Sequence, residues 1–127
     1  MFGEEALLGK FELTIDTKNR LTIPTLTKRE VGENLVIVKD TDLNVYRIYS
    51  ESKITEIYDE LNQKILKSRT KEEEINYKKK ILELSKTIVK MAKINTSGKI
   101  NLGTNFTNIS NAILIGANDH LILELKK

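Results

Sequence analysis

One short pattern occurs twice in this chain, and it constrains the fold more than any other feature. Residues 15–24 read IDTKNRLTIP, and residues 94–103 read INTSGKINLG. Each copy has an apolar residue, an Asp or Asn, two polar residues, an Asn or Gly, a cation and then an alternating segment. Because Asn and Gly adopt positive φ at little cost, each copy predicts a tight turn between two short strands.

The repeat continues beyond the turns. Residues 35–38 (LVIV) match residues 112–115 (AILI) at an offset of 77, whereas Asp16 and Asn95 differ by 79. In the first copy, Pro24 and Gly32 bracket a predicted short helix. Each copy then ends in a predicted hairpin, over 35–39 and 44–49 with a turn at 40–42, and over 112–115 and 121–125 with a turn at 116–119. We therefore predict that residues 1–49 and 91–127 form two related halves about a local two-fold axis, with the two apolar runs among the most buried positions.

The residues between the halves have helical periodicity. We predict an insert over 50–90, with one amphipathic helix from Ser52 to about Lys67 and a second that begins at an N-cap, Thr70, and has Glu73 three residues later. Residues 68 and 69 would join the two helices into an antiparallel hairpin. The second helix carries two apolar stripes, which predict packing on its partner helix and on the β-core or another subunit. The first stripe is Tyr77, Ile81, Leu84, Ile88 and Met91, and the second is Ile75, Leu82 and Val89.

Composition excludes several classes of protein. The 127 residues are 39% hydrophobic, contain no cysteine and carry a net charge of +3, with a mean hydropathy of −0.33. These values predict one compact, soluble, cytoplasmic unit with no membrane partner, no disulfide and no thiolate metal site. The basic excess is small, so binding to nucleic acid would require geometry that focuses particular cations and several copies of the chain acting together.

The residue types of an active site occur without the spacing that catalysis needs. His120 follows Asp119 but has no predicted nucleophile, and Asp40 and Asp42 lack the remaining ligands of a calcium loop. We interpret His120, Asp40 and Asp42 as turn residues. Lys78, Lys79 and Lys80 are interpreted as a solvated helix face balanced by residues 72–74, rather than as a phosphate-binding patch. We predict no enzyme activity, no cofactor and no metal.

The whole chain resembles the MraZ family of bacterial transcriptional regulators, in the AbrB/MazE-like superfamily. Residues 9–24 (GKFELTIDTKNRLTIP) are similar to the family's opening strand and its Asp-x-x-Gly-Arg signature, and residues 115–125 (IGANDHLILEL) are similar to its closing hairpin. In this chain Asn19 replaces the signature glycine. Asn95, Lys99 and Gly103 replace the Asp, Arg and Pro of the second signature.

The resemblance implies a mainly β fold with helices, in which tandem swapped-hairpin, AbrB-like halves form a small β-barrel-like core with the helical hairpin inserted. It also implies ring-shaped homo-oligomers that bind repeated promoter sites in double-stranded DNA, and hence a place at the nucleoid.

The resemblance assigns the DNA contacts to the two turns. Arg20 stands at the position of the first DNA-contacting arginine, and Lys99 stands where the second is expected. Arg20 would contact base edges or phosphate, with phosphate contacts from Lys18, Lys99 and Lys93. Asn19, which keeps the turn geometry possible, is also expected at the DNA-binding surface, whereas Asp16, Asn95 and Gly98 would shape and orient the turns.

Two alternatives remain open at this point. Arg20 could pair with Asp16 across its own turn and pin the hairpin. The chain could also be an oligomeric, antitoxin-like protein-interaction module, in which the turns are structural and the helical insert binds a partner.

Overall fold

The computed structural model describes residues 9–24, 29–103, 109–117 and 119–126. Eight strands and two helices lie in this part of the chain. The first repeat contains β1 (Lys10–Thr14), β2 (Arg20–Thr22), β3 (Asn34–Asp40) and β4 (Val45–Ser50). The helices α1 (Glu51–Leu66) and α2 (Lys71–Thr87) follow, and the second repeat contains β5 (Ile88–Lys93), β6 (Lys99–Asn101), β7 (Asn111–Gly116) and β8 (Leu121–Lys126).

The strand order is symmetric with respect to the two repeats. The large sheet is antiparallel, with the order β1-β7-β8-β4-β3-β5. In the repeat, β1 corresponds to β5, β3 to β7 and β4 to β8. Exchanging each strand for its counterpart gives the same order read from the other edge of the sheet. The first strand of each repeat pairs with the other repeat, β1 with β7 and β5 with β3. This order agrees with the predicted two-fold relation between the halves, and it makes each half depend on the other for an edge strand.

The two remaining strands form a ribbon of their own. β2 and β6 pair in antiparallel register, with Leu21 opposite Ile100. Both side chains are fully buried and belong to the main apolar core, together with side chains from one face of the large sheet. The opposite face of the first repeat's β3 carries Val36 and Val38, which pack with Ile54 of α1 and Leu84 of α2. The molecule is therefore layered, with the ribbon and the helical hairpin on opposite faces of the sheet.

The helical hairpin forms where the sequence predicts it. Ser50 caps α1 by accepting a hydrogen bond from the Lys53 backbone N–H at 3.1 Å. Thr70 caps α2 by accepting one from the Glu73 backbone N–H at 3.1 Å. The Glu73 carboxylate reaches back to the N–H of Arg69, one residue before the cap. Both caps satisfy a backbone donor that the first helical turn leaves without a partner.

Three predictions differ from the structure. The predicted continuation of the two apolar stripes to Ile88, Val89 and Met91 is wrong. Helix α2 ends at Thr87 and Ile88 begins β5, where β-branched side chains and pairing with β3 favour a strand. No closed barrel is found among the described strands, since β1 and β5 each pair on one side only. Residues 35–38 are all buried, but Ile113 and Ile115 are only partly buried, because the described helices pack on β3 and not on β7.

Some predictions lie outside the described residues. The short helix between Pro24 and Gly32 falls largely on residues 25–28, and Asn118 of the closing hairpin turn is likewise outside the described ranges. In the part of the chain that the structure describes, no helix combines the length and apolar character needed to cross a membrane.

Candidate nucleic-acid interface

The two repeated turns have the same hydrogen bonds. In the first turn the Asp16 backbone N–H donates to the Arg20 carbonyl at 3.1 Å, and the Asn19 N–H donates to the Asp16 carbonyl at 3.0 Å. The equivalent bonds in the second turn, from Asn95 to Lys99 and from Gly98 to Asn95, are both 2.9 Å long. Asn19 and Gly98 have φ values of 60° and 75°. The sequence pattern therefore fixes one turn geometry twice.

The side chain of Asp16 or Asn95 organises each turn. Asp16 Oδ1 accepts hydrogen bonds from the backbone N–H groups of Lys18 and Arg20, both at 2.9 Å. Asn95 Oδ1 accepts from the N–H groups of Ser97 and Lys99 at 2.9 and 3.0 Å. A carboxylate oxygen and an amide oxygen can both act as this acceptor. The two turns thus share a side-chain oxygen acceptor at this position, and only the first turn adds a negative charge there.

Each turn also contacts the strand of the other repeat. The Ile23 N–H donates to the Gly98 carbonyl at 2.9 Å, and the Leu102 N–H donates to the Asn19 carbonyl at 2.8 Å. The Asn19 side-chain amide donates to the Gly103 carbonyl at 3.2 Å. These bonds hold the two turns at opposite ends of the ribbon, so that neither turn is positioned by its own repeat alone.

The outward face of the ribbon presents the two predicted cations. Side chains alternate along a strand, so residues on either side of the buried Leu21 and Ile100 point away from the core. They form two cross-strand pairs, Arg20 with Asn101 and Thr22 with Lys99. Thr22 and Asn101 are exposed, and the side chains of Arg20 and Lys99 are 34% and 31% exposed. A narrow polar face with two cations therefore lies on the surface away from the helices.

Asp16 lies between the two cations. Its Oδ2 accepts a hydrogen bond from Arg20 Nε at 2.8 Å and lies 3.6 Å from Lys99 Nζ. The N–H of Arg20, the Arg20 guanidinium and the N–H of Lys18 together hold the pKa of Asp16 at about 2, against a usual value of 3.8. The predicted pairing of Arg20 with Asp16 is therefore present. It uses Nε, and within the described residues the two Nη nitrogens have no hydrogen-bond partner, so pairing with Asp16 leaves the outer edge of the guanidinium available.

The other two predicted cations, Lys18 and Lys93, are placed differently from Arg20 and Lys99. Lys18 is exposed in the first turn, and its equivalent in the second turn is Ser97. Lys93 is exposed at the end of β5, opposite Asn34, so it belongs to the edge of the large sheet and not to the ribbon. The ribbon face and the first turn together carry the cations Lys18, Arg20 and Lys99 and the anion Asp16, which is a net charge of +2.

Sequence reasoning missed Thr22 and Asn101. Both follow a predicted cation by two residues, so the period of a strand places them on the same face as Arg20 and Lys99. That signal was available in the sequence. The cross-strand pairing of Arg20 with Asn101 could not be predicted from the sequence, because it depends on how the two repeats pack together.

His120 has structural partners in this fold. Its Nδ1 lies 2.7 Å from Asp119 Oδ1, and Nε2 accepts from Arg47 Nη1 at 2.8 Å. Its ring stacks on Tyr49 with centroids 4.7 Å apart. The side-chain hydrogen bond to His120 lowers the pKa of Asp119. These contacts join the closing hairpin turn to β4, as expected for a turn histidine.

The other acidic and basic clusters also have local partners. Asp40 accepts from the Leu43 N–H and pairs with Arg47, contacts that lower the pKa of its carboxyl group. Lys78 lies 3.2 Å from Glu74, in keeping with the interpretation of residues 78–80 as a solvated helix face. Among the described residues, no three acidic or histidine side chains are grouped in a way that could hold a metal ion.

Comparison with known proteins adds no relative to these observations: no family model matches the chain, and no curated protein matches it.

Proposed function

We propose that this chain is a sequence-specific DNA-binding transcriptional regulator, similar to the MraZ family, that acts as a homo-oligomer in the cytoplasm, at the nucleoid. The observation that carries the proposal is the ribbon. Two equivalent turns, one from each repeat, bring Arg20 and Lys99 onto a single exposed face that packs on the core through Leu21 and Ile100. A two-stranded β-ribbon is narrow enough to enter the major groove of B-DNA.

The chemistry of this face suits duplex DNA. The Nη edge of a guanidinium can bind O6 and N7 of guanine, and lysine side chains contact phosphates. Among the described residues, the Nε bond to Asp16 holds the guanidinium in place and leaves that edge available. A net charge of +2 on the ribbon face and first turn of each subunit gives weak binding alone, so the proposal includes several subunits acting on one DNA.

The strand exchange supports the architecture that the resemblance implies. Each repeat donates its first strand, β1 or β5, to the sheet hairpin of the other. We infer that the two repeats are swapped-hairpin halves of the AbrB type, joined in one chain by the helical hairpin.

The test is a titration of the purified protein with its own upstream DNA, with salt and nonspecific competitor varied. Arg20→Ala should cost about 1–3 kcal/mol per engaged subunit and reduce the preference for the specific site. Lys18→Ala and Lys99→Ala should weaken binding to all sequences and reduce the salt slope by roughly one unit per lost phosphate contact. Lys79→Ala is the matched control, because Lys79 is exposed on α2, on the far side of the sheet.

A second candidate function rests on the helical hairpin. Leu66, Ile75 and Leu82 are 78%, 43% and 54% exposed, and apolar groups of this size on a surface are typical of protein contacts. In this alternative the chain is an oligomeric interaction module and the turns are structural. It would be favoured if Arg20→Ala left both stability and DNA affinity unchanged.

A further inference from the structure

The two ends of the ribbon differ in chemistry although they are related by the repeat. The end next to the first turn carries Arg20 and Asn101, which are cross-strand partners. The end next to the second turn carries Lys99 and Thr22, also cross-strand partners. A ribbon with two identical ends would bind a two-fold symmetric sequence equally well in either direction, because the symmetry of a site mirrors the symmetry of the protein. In this ribbon the two ends carry different side chains, so they are not equivalent.

The first end has the side chains that distinguish bases. Arginine binds guanine through two parallel hydrogen bonds, and the amide of asparagine binds adenine through two. Asn101 Oδ1 accepts from the Gly103 N–H at 2.7 Å, which fixes the orientation of the amide. Within the described residues, a second lone pair on Oδ1 and both protons of Nδ2 remain for an adenine. Asp16 holds Arg20 at the same end.

The second end lacks planar donors. Lys99 is a flexible point charge, and Thr22 has a single short hydroxyl. Lys99 Nζ lies 3.6 Å from Asp16, so the ammonium group is drawn towards the first end of the ribbon. Asn95, the equivalent of Asp16, carries no charge that could hold a cation at the second end. Lysine and threonine both contact phosphate readily, and such contacts carry little sequence information.

We propose that each subunit binds DNA in one orientation, with Arg20 and Asn101 selecting base pairs at the end of the ribbon next to the first turn. Lys99 contacts phosphate from beside Asp16, and the end that carries Thr22 has no side chain that selects a base pair. This inference rests on the proposed function. It assigns specificity to Asn101, and it predicts that the sequence read by one ribbon is not palindromic.

Selection of bound duplexes from a randomised pool tests the specificity. The wild-type chain should select a site that is asymmetric within the span of one ribbon. Asn101→Ala should lower the ratio of specific to nonspecific affinity roughly 5- to 150-fold per engaged subunit, and Thr22→Ala, the equivalent position, should change it by less than about twofold. The triple variant Thr22→Asn with Asn95→Asp and Lys99→Arg gives both ends the same arginine, asparagine and orienting carboxylate, so it should select a two-fold symmetric site. Thermal denaturation of each variant checks that it is folded.

Directed cleavage tests the orientation. Thr17 and Thr96 are exposed and occupy equivalent positions in the two turns, and the natural chain has no cysteine. Thr17→Cys and Thr96→Cys, each labelled with an iron–EDTA reagent, should cut a duplex containing one selected site on opposite sides of that site. Equal cutting on both sides by either label would overturn the inference.

The outcomes separate this inference from the function on which it rests. Specific binding to a site that is palindromic within one ribbon, or an unchanged specificity ratio for folded Asn101→Ala, would overturn the single orientation and leave DNA binding intact. Failure of the folded wild-type chain to prefer any sequence would overturn the proposed function, and this inference with it.

Discussion

At the residue scale, Asp16 and Asn95 show how one position can serve two purposes. Both side chains accept two backbone N–H bonds at 2.9–3.0 Å and thereby close their turns. Only Asp16 is charged, and only Asp16 contacts Arg20 and Lys99. The repeat thus separates the turn-forming role of the oxygen from the cation-holding role of the charge.

Asp16→Asn should therefore leave the turn intact and remove only the electrostatic part of its stability. The folded-state pKa of Asp16 is about 2, below the usual 3.8, so the carboxylate stabilises the folded state above pH 4. That stabilisation is lost as the pH falls through about 2. The variant should be less stable than the wild type at pH 7, and the difference should shrink as the pH falls from about 4 towards 2.

Urea denaturation at a series of pH values measures this difference. Asp59→Asn is the control, because Asp59 is an exposed carboxylate on α1 and the same charge is removed. A loss of stability for Asp16→Asn that is the same at every pH would contradict an electrostatic origin and assign the effect to the turn hydrogen bonds.

At the element scale, the ribbon is too short to be stable without the sheet beneath it. Two strands of three residues form few hydrogen bonds, and isolated two-stranded ribbons are marginal in water. Leu21 and Ile100 are fully buried between the ribbon and the sheet. The position of both turns, and with it the candidate interface, depends on this packing.

Leu21→Ala and Ile100→Ala should each lower the free energy of unfolding by about 2–5 kcal/mol, since each leaves a cavity in the core. Because the two residues are equivalent and in register, the two losses should be similar. Urea denaturation gives both values, and Thr22→Ala, a truncation on the exposed face of the same strand, is the control. A loss below about 1 kcal/mol for either core variant would mean that the ribbon does not pack as described.

At the scale of the whole molecule, the two repeats are covered unequally. The helical hairpin covers Val36 and Val38 of β3, and the hairpin itself leaves Ile75 and Leu82 exposed. The outer strands β1 and β5 each pair on one side only within the described residues. Unpaired strand edges and exposed apolar side chains both favour association with another chain.

We therefore expect the chain to be larger than its 14.5 kDa monomer mass in light scattering at micromolar concentration. The double variant Ile75→Glu with Leu82→Glu should shift the mass towards the monomer, because burying two carboxylates at an interface is costly. Asn62→Glu with Gln63→Glu adds the same charge on the exposed surface of α1 and should leave the mass unchanged. A 14.5 kDa particle for the wild type would contradict the expected assembly.

The sequence by itself determined the local structure. The Asp or Asn, the Asn or Gly and the following alternation specify each turn through short-range hydrogen bonds and backbone preference, and the structure has both turns. The hairpin that closes each repeat follows in the same way from strand periodicity, and the helical pair follows from helical periodicity and the Thr70 cap. These features depend on residues within a few positions of one another.

Only the tertiary structure decided where α2 ends, which strands are neighbours and how the ribbon strands are paired. The end of α2 at Thr87 was decided by the pairing of Ile88 onwards with β3, which overrides the helical stripe in the sequence. The exchange of β1 and β5 and the register of Arg20 with Asn101 depend on contacts between residues about 50 to 105 positions apart in the chain, and these contacts also leave the sheet open. Periodicity is a local property and carries no information about which strands become neighbours, so these contacts became visible only when the two repeats were packed on one core.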